Sequence, residues 1–318
     1  MRYVLLFPGQ ASQSVGMGDE LRAASEAAER LFRLADDATG LPISAVCSEG
    51  PLECLTQTEY AQPAVVVCSL ATLEVLRERL GLSGSELAPT YFAGHSVGEL
   101  AALSAAGALT AVETLKLVAR RSRLMSQACA AVRGGMAAVV GMAPEPLANA
   151  CEMASAATNT RLELANLNAP DQIVVSGHCD ALDWLSAHGP ELGVRRVLML
   201  NVSGPFHSSY MKPAAEAFAR DLSSAEIFPP ATPVVLNQSA ATTTDPEVIR
   251  RELSEQVAAP VLWSASLKLM EAAGCTAFIE VGPGKVLTGL VKKTVPDASA
   301  VATADLASID QAVALLTS

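Results

Sequence analysis

A serine between two glycines is the residue whose setting most clearly indicates chemistry. The stretch Gly94-His95-Ser96-Val97-Gly98-Glu99 follows an apolar run at 91–93 and precedes residues that favour helix. A sharp turn from strand to helix lifts a serine hydroxyl into the open at a helix N-terminus, where unpaired backbone N–H groups favour negative charge. Ser96 is therefore a candidate nucleophile. Taken alone, the same pattern also fits a helix start that Ser96 caps.

Other residue types that can do chemistry are few and widely spaced. The chain has four histidines and seven cysteines, and no two cysteines form a C-x-x-C pair. This spacing argues against a metal cluster and against a disulfide framework, and it favours reduced thiols in the core. We therefore expect no bound metal.

Composition limits the class of protein. Half of the 318 residues are apolar, which indicates a folded globular chain of one large domain with an insertion, or of two domains. No uncharged apolar run reaches about 18 residues, which argues against a membrane span. The N-terminal apolar stretch is too short for a secretory signal, so we expect a cytoplasmic protein. The net charge of -11 disfavours nucleic acid and anionic membranes as partners.

The elements on either side of Ser96 alternate between strand and helix. We predict a first strand at 1–7, helices at 19–35 and 111–127, and a long helix with Pro63 in its first turn, followed by a linker at 81–89. Further strands and helices follow after residue 200, to a last helix behind Lys285. This alternation predicts a mostly parallel sheet, which matches an α/β-hydrolase-like core.

A second pattern interrupts this alternation. Strands are predicted at 134–141, 162–167, 172–177 and 195–200, with helices at 144–156 and 180–188. The order β-α-β-β-α-β is the ferredoxin-like signature. We therefore expect an inserted ferredoxin-like subdomain at 128–199, between residues 1–127 and 200–318 of a large catalytic α/β domain.

Several short motifs occur in one order along the chain and together are far more specific than any one of them. They are Phe7-Pro-Gly-Gln10, Gln62-Pro63, the Ser96 stretch, Arg121 with Leu124-Met125, Pro205-Phe-His-Ser208 with Met211-Lys-Pro213, Gln256 with Pro260-Val261 and Trp263, and Glu280-Val-Gly-Pro-Gly-Lys285. This set resembles the malonyl-CoA:acyl carrier protein transacylases and the related acyltransferases of polyketide synthases.

The resemblance implies catalytic roles at matching positions. Ser96 would hold the acyl group as an ester, and His207 would act as general base and acid. No Asp or Glu matches a triad position, so Gln256 is the candidate that orients His207. The N–H groups of Gln10 and Val97 would form the oxyanion hole. Ala11 replaces the second glycine of the family's Gly-Gln-Gly, which would cost about 1 kcal/mol if that position needs a positive φ.

The resemblance also implies a substrate. Arg121 would bind the free carboxylate of a malonyl group through paired hydrogen bonds, although Arg120 and Arg123 leave the register open. Phe206 and Val97 fit the pattern that goes with malonyl in preference to methylmalonyl. Gln62 and His95 are further candidates for substrate binding.

The predicted activity is transfer of a malonyl group from malonyl-CoA to the phosphopantetheine thiol of an acyl carrier protein, with no cofactor bound to the enzyme. Alternatives are a hydrolase of the same fold that clears acyl groups from carrier proteins, an acyltransferase for another acyl group, and a non-catalytic docking subunit. The sequence leaves open whether the carrier serves fatty-acid or polyketide synthesis. Because carrier proteins are acidic, we expect basic residues at the mouth of the site: Arg195, Arg196, Lys212, Lys285, Lys292 and Lys293.

Overall fold

The computed structural model describes residues 1–82 and 87–317. Its strands are β1 Tyr3–Phe7, β2 Tyr91–Gly94, β3 Gly134–Val140, β4 Leu162–Ala169, β5 Gln172–His178, β6 Arg196–Met199, β7 Val234–Val235, β8 Thr242–Thr243, β9 Ala277–Glu280 and β10 Ser299–Ala302. Its helices are α1 Asp19–Ala24, α2 Glu26–Thr39, α3 Ile43–Glu49, α4 Leu52–Leu55, α5 Thr58–Arg79, α6 Gly98–Ala105, α7 Ala111–Ala130, α8 Pro144–Thr158, α9 Cys179–His188, α10 Lys212–Ser224, α11 Pro246–Gln256, α12 Trp263–Ala272, α13 Val286–Thr294 and α14 Leu306–Thr317.

The larger sheet has the order β10-β9-β1-β2-β7-β8, and all its pairs are parallel except β7 with β8. Successive residues of β1 pack on opposite faces, because side chains alternate along a strand. Leu5 and Phe7 join a core that includes residues of α2, α5, α6 and α7, whereas Val4 and Leu6 join a core that includes residues of α12 and α13. Helices thus cover both faces, and the predicted α/β fold with a mostly parallel sheet is confirmed.

The smaller sheet is antiparallel, in the order β4-β5-β3-β6. Its strands and the helices α8 and α9 follow one another as β-α-β-β-α-β, and α8 and α9 bury their apolar residues in a separate core. The predicted ferredoxin-like insertion is confirmed as an architecture. The element bounds agree with the predicted ones to within two residues.

Other predictions were less accurate. The helix expected at 19–35 is two helices, because Ser25 is extended and its side chain caps α2 by accepting from the N–H of Ala28. Pro63 lies inside α5 and not in its first turn, since the helix already begins at Thr58. Helices α3, α4, α12 and α14 and strands β8 and β10 were not predicted. The interior of the predicted linker, 83–86, falls outside the described residues.

The sheet brings the site together at the carboxyl ends of its central strands, as is usual in open α/β sheets. Phe7 at the end of β1 is in register with Gly94 at the end of β2, and β7 ends beside β2. The loops after these strands therefore meet at one edge. Both glycines of the Ser96 stretch are needed for this close approach, because a Cβ on Gly94 would lie 2.0 Å from the carbonyl oxygen of Gly98, and one on Gly98 2.2 Å from that of Phe7.

The structure also bears on the cysteines and on the hydropathy of the helices. All seven cysteines are free, and five of them are buried. Within residues 1–82 and 87–317, no helix combines the length and hydropathy needed to cross a membrane.

Candidate active site

Ser96 occupies the sharp turn between β2 and α6. Its φ of 51° lies in the left-handed region, which non-glycine residues seldom adopt and which is frequent at functional sites. Its N–H donates to Oδ1 of Asn237 at 2.7 Å, and the side-chain amide of Asn237 donates to the carbonyl of Gly94 at 2.6 Å. Asn237 thus bridges the two sides of the turn and holds the serine in its strained conformation.

Ser96 and His207 are in direct contact, with 2.7 Å between Oγ and Nε2. The other ring nitrogen, Nδ1, lies 2.9 Å from the carbonyl oxygen of Gln256 and 3.2 Å from that of Ala259. Because carbonyl oxygens only accept, Nδ1 carries the proton and Nε2 is free to accept one from the serine. Burial, and secondarily the positive charge of Arg121, lower the pKa of His207 to about 3. The imidazole is therefore neutral at physiological pH.

Gln256 was predicted to orient His207, and in the structure it is the backbone carbonyl of Gln256 that contacts the histidine. The side chain of Gln256 does something else, because its Oε1 accepts from Arg121 at 2.9 Å and its Nε2 donates to the carbonyl of Ser96 at 3.0 Å.

Arg121 is the guanidinium that faces the serine. It is 2 % exposed, and its donors reach Oε1 of Gln62 at 2.7 Å and Oγ of Ser96 at 3.2 Å, besides Gln256. Burial lowers the pKa of Arg121 to about 10, so it stays a cation at neutral pH. It forms no salt bridge with any residue of the described chain, although Glu99 is close enough to raise its pKa somewhat against the effect of burial. A buried cation without a salt bridge is costly, and a carboxylate on a bound acyl group would supply one.

The neighbouring arginines point elsewhere, which answers the question of register. Arg120 pairs with Asp221 at 3.1 Å, and Arg123 is exposed. Of the three, Arg121 alone reaches Ser96.

The two predicted oxyanion donors lie on the same cleft as Ser96. Gln10 in the loop after β1 and Val97 at the start of α6 both line it, and within the described residues neither N–H donates to another protein group. Ala11 has a φ of 80°, and its N–H donates to Oε1 of Gln13 at 2.8 Å. Alanine therefore occupies a left-handed conformation that favours glycine.

The cleft runs between the two sheets. On the main-domain side it is lined by Phe206, which is buried beside His207, and by His95. On the side of the insertion it is lined by Asn166 and Asn168 of β4. His95 is held by a 2.7 Å contact between its Nε2 and Oδ1 of Asn168, and by an edge contact with Trp263. His95 thus connects the Ser96 turn to the insertion.

Asn237 and Glu99 support the Ser96 turn and were not predicted as site residues. Asn237 is a polar residue just after the buried strand β7, a position that could have identified it. Glu99 is fully buried, and its Oε2 accepts from the N–H of Asn237 at 2.7 Å. Burial raises the pKa of Glu99 to about 8, despite the hydrogen bond from Asn237 and the positive charge of Arg121, so its carboxyl is mostly protonated at neutral pH.

Metal ligation finds no support in the geometry. In the described ranges, no group of three or more His, Cys, Asp or Glu side chains is placed to hold a metal ion. The absence of a bound cofactor stays a prediction.

A serine, a neutral histidine and two free N–H groups around one cleft can perform acyl transfer through an ester. The family described as the acyl transferase domain matches residues 4–311. The chain belongs to this family. The catalytic and binding roles of individual residues in this acyl transferase chain stay predictions that the geometry makes specific.

Among curated proteins, this acyl transferase chain is 41% identical over 315 residues to the malonyl CoA-acyl carrier protein transacylase of Bacillus subtilis. The match covers 99% of this chain and 97% of that protein. Among solved structures, it matches an acyl-carrier-protein S-malonyltransferase from Bartonella henselae with a TM-score of 0.94 and 36% identity over the whole of both chains. It also matches a malonyl-transacylase solved in complex with its type II PKS acyl-carrier protein, with a TM-score of 0.92, 34% identity, and coverage of 99% of this chain and 100% of that one.

Proposed function

We propose that this protein transfers a malonyl group from malonyl-CoA to the phosphopantetheine thiol of an acyl carrier protein, through an ester on Ser96. The observation that carries the proposal is Arg121, a buried cation that forms no salt bridge within the described chain and whose Nη2 lies 3.2 Å from the hydroxyl of Ser96. The names of the relatives compared above, all malonyl transferases, support the same substrate.

In the first half-reaction, Oγ of Ser96 attacks the thioester carbonyl while Nε2 of His207 takes the hydroxyl proton. The negative charge that develops on the carbonyl oxygen is stabilised by the N–H groups of Val97 and Gln10. The C–S bond then breaks, and His207 returns its proton to the sulfur of CoA. The product is malonyl-Ser96 with free CoA thiol.

In the second half-reaction, the carrier's phosphopantetheine thiol gives its proton to His207 and attacks the ester carbonyl. The C–O bond to Ser96 breaks, and His207 returns the proton to Oγ. A dyad without a carboxylate is sufficient because thioesters are activated and a thiol is a good nucleophile. The carbonyls of Gln256 and Ala259 keep the proton of His207 on Nδ1 throughout.

Selectivity for malonyl would come from contacts with two parts of the acyl group, its free carboxylate and its α-carbon. Arg121 binds the free carboxylate, with Gln62 holding the guanidinium in place at 2.7 Å. Phe206 would press on the α-carbon and disfavour a methyl branch, an effect of about 1–3 kcal/mol for one methylene. His95, which also lines the cleft, would bind the substrate on the side of the insertion.

Intact-mass analysis tests the proposal directly. The protein is mixed in turn with malonyl-CoA, methylmalonyl-CoA and acetyl-CoA, and the adduct is mapped by peptide analysis. We expect a malonyl adduct on Ser96 that forms faster than either of the others and is absent from Ser96→Ala. An adduct on another residue, or faster loading of acetyl, would overturn the assignment.

The proposal also covers the compartment, the cofactor requirement and the domain division of the enzyme. We infer that the enzyme works in the cytoplasm without a bound cofactor, and that residues 128–199 form a subdomain inserted between residues 1–127 and 200–318. The separate apolar core of α8, α9 and the antiparallel sheet supports this division.

A further inference from the structure

The side chain of Gln256 connects two parts of the site that have different tasks. It is 1 % exposed and lies at the end of α11. Its Oε1 accepts from Nη2 of Arg121 at 2.9 Å, and its Nε2 donates to the carbonyl of Ser96 at 3.0 Å. The amide has a single possible orientation, because a guanidinium only donates and a carbonyl only accepts.

The carbonyl of Ser96 belongs to the same peptide unit as the N–H of Val97. This peptide is trans, since Gly50-Pro51 is the cis bond found in the described chain. In a trans peptide the C=O and N–H point in opposite directions within one plane. A hydrogen bond that draws the oxygen towards Gln256 therefore turns the N–H of Val97 away from Gln256 and fixes its direction.

The side-chain oxygen of Gln256 contacts Arg121, the residue that would bind the acyl carboxylate. Nη2 of Arg121 is shared between Gln256 and Oγ of Ser96, whereas Nη1 is held by Gln62. When the guanidinium is fixed by a carboxylate, the amide that it holds is fixed as well. Hydrogen bonds in such a chain also polarise one another, which strengthens the donor at the far end.

We propose that the Gln256 side chain is a positioning residue that couples recognition of the acyl carboxylate at Arg121 to the orientation of the oxyanion donor, the N–H of Val97. This inference rests on the proposed function and adds to it. An acyl group that carries a carboxylate tightens the oxyanion hole through Arg121 and Gln256, whereas an uncharged acyl group does not. Selectivity for malonyl thus acts on the chemical step as well as on binding.

Gln256→Met is the main test, since it keeps the length of the side chain and the backbone carbonyl that holds His207, but removes both side-chain hydrogen bonds. Single-turnover loading from malonyl-CoA should slow by about 10- to 100-fold, less than the loss of a whole oxyanion donor. The fold-reduction in the loading rate from acetyl-CoA should be smaller than that from malonyl-CoA by a factor of at least about five. In the Arg121→Ala background the same change should add less than about twofold, because residues in one hydrogen-bond network are not additive.

Gln256→Glu separates the two hydrogen bonds. The carboxylate still accepts from Arg121 but has no proton to donate to Ser96, and it competes with the substrate carboxylate for the guanidinium. We expect the KM for malonyl-CoA to rise while the KM for acetyl-CoA stays unchanged. Gln127→Met is the matched control, since Gln127 is exposed on α7. Thermal unfolding of each variant shows whether its fold is intact.

Equal slowing of malonyl and acetyl loading by Gln256→Met would overturn the coupling, and so would effects of Gln256→Met and Arg121→Ala that multiply independently. Failure of the proposed function itself looks different, because the wild type and Gln127→Met would then not load malonyl.

Discussion

Among single residues, Arg121 makes the strongest prediction about substrate choice. In Arg121→Ala the malonyl carboxylate would be buried without a partner, a penalty of about 3–5 kcal/mol. Loading from malonyl-CoA should therefore collapse, whereas loading from acetyl-CoA should hold or rise, as measured by intact mass against time. Arg123→Ala, an exposed arginine of the same helix, should leave both rates unchanged. An equal fall for both acyl groups in Arg121→Ala would mean that Arg121 is only structural.

Glu99 predicts how stability depends on pH. Burial raises its pKa from 4.5 to about 8 in the folded protein, so between these values the folded state holds a proton that the unfolded state has lost. The contribution of Glu99 is thus full below pH 4.5 and declines as the pH rises to about 8. In Glu99→Gln this decline should vanish, which denaturant unfolding at pH 5, 6.5 and 8.5 would measure. The exposed carboxyl variant Glu271→Gln should keep the wild-type slope, and an unchanged slope in Glu99→Gln would show that Glu99 is charged in the fold.

The sequence was sufficient to predict those site residues that belong to a local motif or match the resembled family. Ser96, His207 and Arg121 were all named from the sequence, and the structure places Nε2 of His207 at 2.7 Å and Nη2 of Arg121 at 3.2 Å from Oγ of Ser96. The contacts of Glu99 and Asn237 were not predictable, because they depend on β7 lying next to β2, a pairing of residues some 140 positions apart.

At the scale of elements, the loop after β1 holds an alanine in a conformation suited to glycine. Ala11→Gly should relieve strain and raise the free energy of unfolding by up to about 1 kcal/mol. Ala131→Gly is the control, since Ala131 is exposed with an ordinary φ of -86°, and it should lower stability slightly. Chemical denaturation measures both. Destabilisation by Ala11→Gly would mean that the alanine side chain contributes contacts that outweigh the strain.

Helices and strands were predicted well where the apolar pattern and the turn-forming or helix-starting residues indicated the same boundaries. The insertion combines short apolar strands with helices that begin at Pro144 or next to Asp180, so its order was readable. Errors arose where tertiary packing overrides local signals. Pro63 lies inside α5 because the packing of this mostly buried helix outweighs the backbone hydrogen bond that proline cannot donate, and β10 is a partly exposed edge strand with little apolar patterning.

For the whole molecule, the mouth of the cleft predicts where the carrier protein docks. Val286 lines the cleft and is 47% exposed, and it begins the helix α13 that carries Lys292 and Lys293, with Lys285 just before it. All three lysines are exposed, and none forms an ion pair within the described chain. Nζ of Lys293 does reach Oε1 of Gln172 across the cleft mouth at 2.9 Å. This basic face suits an acidic carrier whose phosphopantetheine arm must reach Ser96.

Changing Lys285, Lys292 and Lys293 together to Glu should raise the KM for carrier protein several-fold, since exposed pairs contribute about 0.2–1 kcal/mol each. The effect should be larger at low salt, and loading of Ser96 from malonyl-CoA should not change. The control reverses Lys116, Arg123 and Arg220, three exposed cations on α7 and α10 that do not line the cleft. An unchanged KM at low ionic strength would redirect attention to Arg195 and Arg196, with Lys212 next.

The most direct test of the central claim is a chase of the preloaded enzyme. Protein carrying malonyl on Ser96 is freed of malonyl-CoA and mixed either with buffer or with holo-acyl carrier protein, and both partners are followed by intact mass. The proposed mechanism predicts that the adduct persists in buffer and moves to the carrier thiol in a single turnover, at a rate that depends on carrier concentration. Release of free malonate at the same rate with and without carrier would contradict it and identify a hydrolase.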